Sequence, residues 1–190
     1  MSLKDLIASN RTCRRFYEDT PVSKETLREL IDLARLSSSG ANLQSLKYIT
    51  VTDTAERAKV FPCVNWAGYL TDWPGPAAGE RPAAYIVVLA DTEISKNWFC
   101  DQGIAAQSIM LGAREKGLGG CMHGGIKQKE LREALDIPAR YEILLVLSIG
   151  KPKEQVVIED LPADGSIKYW RDEKHVHHVP KRKLDDIILR

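Results

Sequence analysis

Near the start of the chain, Arg11-Thr12-Cys13-Arg14-Arg15 puts three guanidinium groups and a hydroxyl within five residues. Guanidinium forks match phosphate oxygens, and the Thr12 hydroxyl adds a hydrogen bond, so the segment suits a phosphate. A solvated basic face is the ordinary alternative. A second basic cluster, Pro180-Lys181-Arg182-Lys183, lies near the other end. It either completes one phosphate site with Arg11 and Arg14 or is a basic tail.

Three further segments have chemistry in their spacing. Ser38-Ser39-Gly40-Ala41-Asn42-Leu43-Gln44 is dense in small polar residues. It suits a flat hydrogen-bonding ring or a polyol; taken alone, the segment reads first as an ordinary helix end and turn. Gly117-Leu118-Gly119-Gly120, followed by Gly124-Gly125, lets backbone approach a ligand closely. These glycines follow a helix rather than open one, so they are not a dinucleotide fingerprint, and no Gly-Lys-Ser/Thr makes them a Walker loop. Trp66, Tyr69 and Trp73 fall in a proline- and glycine-rich stretch, 62–82; a long loop of this kind is usually functional or disordered.

Of the histidines, His175, His177 and His178 are close together and His123 stands alone. Strand alternation would put His175 and His177 on one face. No carboxylate or cysteine pair has metal-ligand spacing beside them, so no metal is expected. Gly-x-Ser-x-Gly and His-Glu-x-x-His are absent, which removes the common hydrolase signatures.

The elements that must position these groups are legible. Ser2 caps a short helix carrying Leu3, Leu6 and Ile7. Ser23 is an N-cap, with Val22 and Leu27 spaced as a hydrophobic staple. Leu27, Leu30, Ile31 and Ala34 continue as a helical stripe ending at Ser37–Gly40. Tyr48–Thr52 reads as a strand, with Asp53 capping a helix after it. Tyr85–Ala90 and Tyr141–Ile149 are continuous apolar runs, as buried strands require. Phe99–Lys116 is small or apolar nearly all round, which predicts a helix buried on every side, closed by Gly117. Cys121–His123 begins another strand and Lys129–Leu135 another short helix. Residues 151–190 have few apolar positions before Leu184, Ile187, Ile188 and Leu189. Strands and helices alternate loosely, so the expected class is α+β, in a single domain spanning 1–190.

Charge limits the partners. Lys and Arg total 27 against 26 for Asp and Glu, so no global field exists to hold a polyanion, and nucleic acid is not the expected partner. No apolar run reaches the length of a membrane span, so no membrane is expected either. The four cysteines form no Cys-x-x-Cys pair. The N-terminus lacks a signal-peptide run, and Glu18, Asp19 and Pro21 follow Arg14-Arg15 where a twin-arginine signal would turn apolar. A reducing, cytoplasmic setting is expected.

Taken in order, these segments resemble the nitroreductase family of FMN enzymes, over almost the whole chain. Arg11-Thr12-Cys13-Arg14-Arg15-Phe16 is similar to the family's Arg-Ser-x-Arg-x-Phe phosphate segment, and Ser39-Gly40-Ala41-Asn42-Leu43-Gln44 to its Ser-x-x-Asn-x-Gln loop. Asp101, Gly103, Ala106 and Gln107 open a helix ending in Gly117-Leu118-Gly119, and Gly150-Lys151-Pro152 and Lys181-Arg182 fit the closing segments. Thr12 stands where Ser is usual, Ser38 and Ser45 where Pro is common, and His123 where an apolar residue is often found.

The resemblance implies a nitroreductase-like fold: a mostly antiparallel central sheet flanked by helices, in an intertwined homodimer with FMN at the subunit interface. It implies an oxidoreductase that takes electrons from NADH or NADPH and passes them to a small-molecule acceptor such as a nitroaromatic or a quinone. The cofactor-binding residues it implies are Arg11, Thr12, Arg14, Arg15, Ser39, Asn42, Gln44, Gly119, Gly120, Lys181 and Arg182. Trp66, Tyr69, Trp73 and His123 would line the acceptor pocket, and no side chain is singled out as catalytic. Reductive dehalogenation, enone reduction, flavin destruction and non-catalytic flavin binding are the alternatives on the same fold.

Overall fold

The structure is a computed structural model describing residues 1–190. Its first helix, α1 (Leu3–Ser9), is capped by Ser2, whose hydroxyl accepts from the Asp5 N–H while the Asp5 carboxylate accepts from the Ser2 N–H. Strand β1 (Phe16–Tyr17) precedes helix α2 (Lys24–Leu36). In α2, Ser23 Oγ accepts from the Thr26 N–H at 3.0 Å. Val22 and Leu27 are both buried, as the staple requires. The inward stripe is Leu27, Leu30 and Ala34. Each of the two leucines contributes about 1.5–3 kcal/mol through loss of water contact.

Five strands make the main sheet: β1, β2 (Leu46–Val51), β3 (Ala84–Asp91), β4 (Gly119–His123) and β5 (Tyr141–Pro152). All of the pairings are antiparallel. Strand β5 takes β3 along one side, with β4 and then β1 along the other, and β2 forms the edge beyond β3. Every residue of β3 is buried, because helices cover both faces. Ile86, Val88, Leu147 and Ile149 face α2 and α4 (Asp101–Glu115). Tyr85, Val87, Leu89 and Val146 face Val60 of α3 (Thr54–Val60) and Leu131 of α5 (Gln128–Ala134). Two covered faces explain why these strands read as unbroken apolar runs although the sheet is antiparallel.

Helix α4 differs in one respect from its sequence pattern. It packs chiefly on α2 and the sheet of its own chain, yet Gly103, Gln107 and Glu115 remain exposed. Gly112 permits the close helix approach: a Cβ there would lie 2.3 Å from the Leu33 side chain.

The segment after β5 is more ordered than its composition suggests. Strands β6 (Val156–Asp160), β7 (Trp170–Arg171) and β8 (His177–Lys181) form a second sheet, with β8 central, parallel to β6 and antiparallel to β7. Polar contacts tie it together. His178 Nδ1 meets Glu159 at 2.9 Å and its Nε2 meets Asp172 at 3.4 Å. The Trp170 ring stacks on His178 at 4.1 Å and its Nε1–H donates to Glu159 at 3.1 Å. Pattern reading looks for apolar alternation, so it misses a sheet clamped this way.

Candidate functional site

A cleft of about 310 Å³ lies where the two ends of the chain meet. Residues Asn10, Arg11, Thr12 and Arg14 come from the N-terminal segment. Gln107 and Met110 come from α4, and Gly120 and Met122 from β4. Tyr169 immediately precedes β7, and His177, Val179 and Lys181 come from β8. The polypeptide therefore brings basic side chains from opposite ends, Arg11 and Lys181, to one cavity.

The N-terminal segment is held extended by its backbone. Cys13 N–H donates to the Gly120 carbonyl at 2.8 Å, and Arg14 N–H donates to Glu154. The Glu154 carboxylate is fully buried and also accepts from Arg171 at 2.8 Å. One carboxylate thus ties the arginine segment to the second sheet, placing Arg14 across the Tyr169 ring, 4.9 Å from its centroid. Arg11 donates to the Ile7 carbonyl at 2.9 Å, while its buried Nε has no partner.

Arg15 is a correction. It does not line the cleft; it makes a bidentate pair with Glu80, with both distances 2.6 Å. That pair, with Lys153 adding to it, holds the Glu80 carboxyl down to about 2. In extended chain, neighbouring side chains point opposite ways, so only one of Arg14 and Arg15 can face the cavity.

His123 is a second correction. Expected at the acceptor pocket, it is buried at the end of β4 and does not line the cleft. Its Nδ1–H donates to the Asn65 carbonyl at 3.0 Å, so its Nε2 accepts from the Ser148 hydroxyl at 2.6 Å. Burial pulls its pKa down to about 4 against the Asn65 hydrogen bond, and the Arg14 charge adds to the lowering.

The aromatic loop stands beside the cleft rather than in it. Trp66 lies edge-on to His123 at 4.7 Å, Trp73 lies under Arg171 at 4.3 Å, and Tyr69 packs on Tyr169 at 4.9 Å with the rings tilted by 56°. Only Tyr69 touches a residue of the cavity wall through these contacts.

The glycines are placed by packing. A Cβ on Gly120 would sit 2.1 Å from the Ser148 carbonyl oxygen, and one on Gly119 would sit 2.8 Å from Pro152. Gly120 lines the cleft; Gly119 lines a neighbouring cavity with Arg114 and Glu154. Arg182 is exposed and outside the lining.

The loop carrying Ser39, Asn42 and Gln44 is elsewhere in the chain. It borders a separate cavity of about 150 Å³ with Tyr48 and Asp101. Ala41, Asn42 and Gln44 have φ of 48°, 55° and 52°, left-handed conformations that each cost about 1–3 kcal/mol and cluster at functional sites. Buried Asp101 holds the loop, accepting from Ser39 Oγ at 2.7 Å and the Gly40 N–H at 2.8 Å.

Tyr169, His177 and Glu154 are the residues that sequence reasoning gave no role. The signal available was alternation: His177, Val179 and Lys181 are i, i+2 and i+4 on β8, and all three line the cleft.

The Nitroreductase family model matches residues 7–151. A protein of Archaeoglobus fulgidus bearing the name NADH dehydrogenase/NAD(P)H nitroreductase is 30% identical, over 74% of this chain and 80% of its own. An FMN-dependent nitroreductase from Clostridium difficile R20291 superposes with a TM-score of 0.68 at 28% identity, covering 80% of this chain and 89% of that one. A nitroreductase family protein from Clostridium novyi NT has the same TM-score at 19% identity, with 98% of both chains covered, and so shares the fold through the second sheet.

Proposed function

Because this chain belongs to the nitroreductase family, we propose that it is an NAD(P)H-dependent oxidoreductase that holds FMN in the cleft between its two ends and reduces a small electron-poor organic molecule. The observation that carries the reading is the convergence of Arg11, Arg14 and Lys181 on one cavity.

The residues present fit a flavin phosphate. Three cations line the cavity with no carboxylate among them, and a buried guanidinium nitrogen of Arg11 lacks a partner. Buried nitrogens of this kind are normally satisfied, and a phosphate oxygen satisfies them well. Arg11, Thr12 and Lys181 would hold the phosphate, with Arg182 at the rim. Arg14, fixed by Glu154 and Tyr169, would place its positive charge by the ring. Gly120 would let backbone close on it, next to Gly119.

When bound, FMN supplies the two-electron carrier between nicotinamide and acceptor, which use the same place in turn. The chain supplies position, electrostatic support and exclusion of water. Tyr69, packed on the cleft residue Tyr169, is the member of the aromatic loop that would meet the acceptor, with Trp66 and Trp73 packed on each other beside it.

Ser39, Asn42 and Gln44 would complete the site of a second copy in a homodimer. Their loop is strained, exposed and turned to a different cavity from the cleft of its own chain. The exposed Leu184, Ile187, Ile188 and Leu189 are the apolar surface such an assembly would cover.

The test is optical. The purified chain should carry yellow FMN or take it up at one per chain, and NADH or NADPH should bleach the band under anaerobic conditions. Adding a nitroaromatic or a quinone should restore it. A chain that binds FMN but is not bleached by either nicotinamide would be a flavin-binding protein and not this enzyme.

A further inference from the structure

His177 and His178 are neighbours on β8 with opposite surroundings. His178 is turned to two carboxylates, Glu159 and Asp172, which raise its pKa. His177 is turned into the cleft, only 1% exposed, and its Nδ1 has no partner.

The charged and titratable groups around His177 come from every adjoining element. Arg14 approaches from the N-terminal segment and Arg171 from β7; His178 is its neighbour on β8. The Tyr169 ring packs at 5.2 Å, and Lys181 and Arg11 share the cavity. The Glu154 carboxylate is spent on Arg171 and the Arg14 backbone. His177 is thus a buried imidazole with an unpartnered nitrogen, in the wall of a cavity lined by Arg11, Arg14 and Lys181.

We propose that His177 couples occupation of the cleft to a proton: a ligand that brings a phosphate into the cleft binds together with a proton from solvent, which the His177 imidazole accepts. The proposal rests on the flavin reading of this cleft.

The physical argument is a change of sign. With Glu154 already paired, protonating His177 adds like charge to a desolvated site, and burial first, then Arg14, Arg171 and His178, pulls it down to about 4. A phosphate reverses the local field. Residues 177 and 181 face the cavity about 13 Å apart along the strand, at roughly 3.3 Å per residue. An anion between them lies within about a Debye length of both, in a site where salt screens weakly. The imidazolium then becomes a further cation facing the anion.

Histidine-selective NMR titration of the full chain from about pH 4 to about pH 8 tests this. The His177 resonance is assigned by its loss in His177→Gln or, should that variant not fold, by sequential assignment. With saturating FMN the His177 midpoint should move above about pH 6. With riboflavin, which lacks the phosphate, it should stay where the free chain has it. With the His177 midpoint raised from about 4 to about 6, FMN affinity should gain about fourfold more between pH 8 and pH 5.5 in the native chain than in His177→Gln.

FMN that binds, as judged by quenched flavin fluorescence, with an unmoved His177 midpoint overturns the coupling and leaves the flavin reading intact. FMN fluorescence that the chain never quenches removes the flavin reading instead. Inorganic phosphate then serves as the probe: a His177 midpoint that rises sustains the coupling, and one that does not ends it.

Discussion

Arg14 and Arg15 are adjacent, carry the same group and do different work. Arg14 lines the cleft against Tyr169, whereas Arg15 is consumed by Glu80. Arg14→Ala should weaken FMN binding at least tenfold and lower the flavin potential, because a charged hydrogen bond is worth about 1.5–3 kcal/mol. Arg15→Ala should leave FMN affinity unchanged and cost about 2 kcal/mol of stability, since Glu80 loses its bidentate partner in a half-buried setting. Flavin titration and thermal melts of the two variants check the pair, and similar flavin losses in both would refute the distinction. The histidines set the upper part of the acid limb of stability, above the range where lowered carboxylates such as Glu80 titrate. The ordinary imidazole value is about 6.5, and the folded chain lowers His123 and His177 to about 4. The unfolded chain therefore binds more protons between these values. Their contribution is intact above about pH 6.5 and is lost as pH falls toward 4. His178, raised by Glu159 and Asp172, runs the other way, its contribution fading as pH climbs through its folded value. Melting temperature should drop by several degrees from pH 7 to pH 4.5, less steeply in His177→Gln.

At the scale of elements, β4 is the joint on which the site depends. It runs along β5, carries Gly120 and Met122 to the cleft, and accepts the arginine segment through the Gly120 carbonyl. A methyl on Gly120 meets backbone, the Ser148 carbonyl, at 2.1 Å, and backbone cannot rotate away. Gly120→Ala should break the β4–β5 pairing and yield a chain that melts far lower or fails to accumulate. Gly117 ends α4 with φ of 74° and open space around its Cα. Gly117→Ala should cost only about 1 kcal/mol, from the left-handed backbone alone. Comparable losses in denaturant melts of the two would show that the β4 contact yields more readily than its geometry implies.

For the whole molecule, the division of labour between cleft and strained loop sets the expectation. If the Ser39–Gln44 loop serves another copy's cleft, FMN retention depends on association. Sedimentation should give a dimer with one flavin per chain, and dilution through the dimer–monomer equilibrium should release flavin with the same midpoint. Asn42→Ala should then weaken flavin binding, although Asn42 lies outside the cleft of its own chain. A sedimenting monomer that keeps full flavin would remove the role assigned to that loop.

Much of this was written locally. The Ser23 cap and its staple, the stripe of α2, the unbroken runs of β3 and β5, and the order of the polar motifs all depend on residues a few positions apart, where helical and strand periods act. The convergence of Arg11 with Lys181 was legible only as an expectation from two basic clusters. Tertiary structure alone decided which arginine faces the cavity, since Glu80 and Glu154 make their choices across 65 and 140 residues. It also decided that His123 is buried, that 156–181 makes a sheet, and that Tyr169 and His177 wall the cleft. Burial, charge pairing and a sheet clamped by polar contacts depend on which surfaces meet when the chain closes, and such meetings leave no period in the sequence.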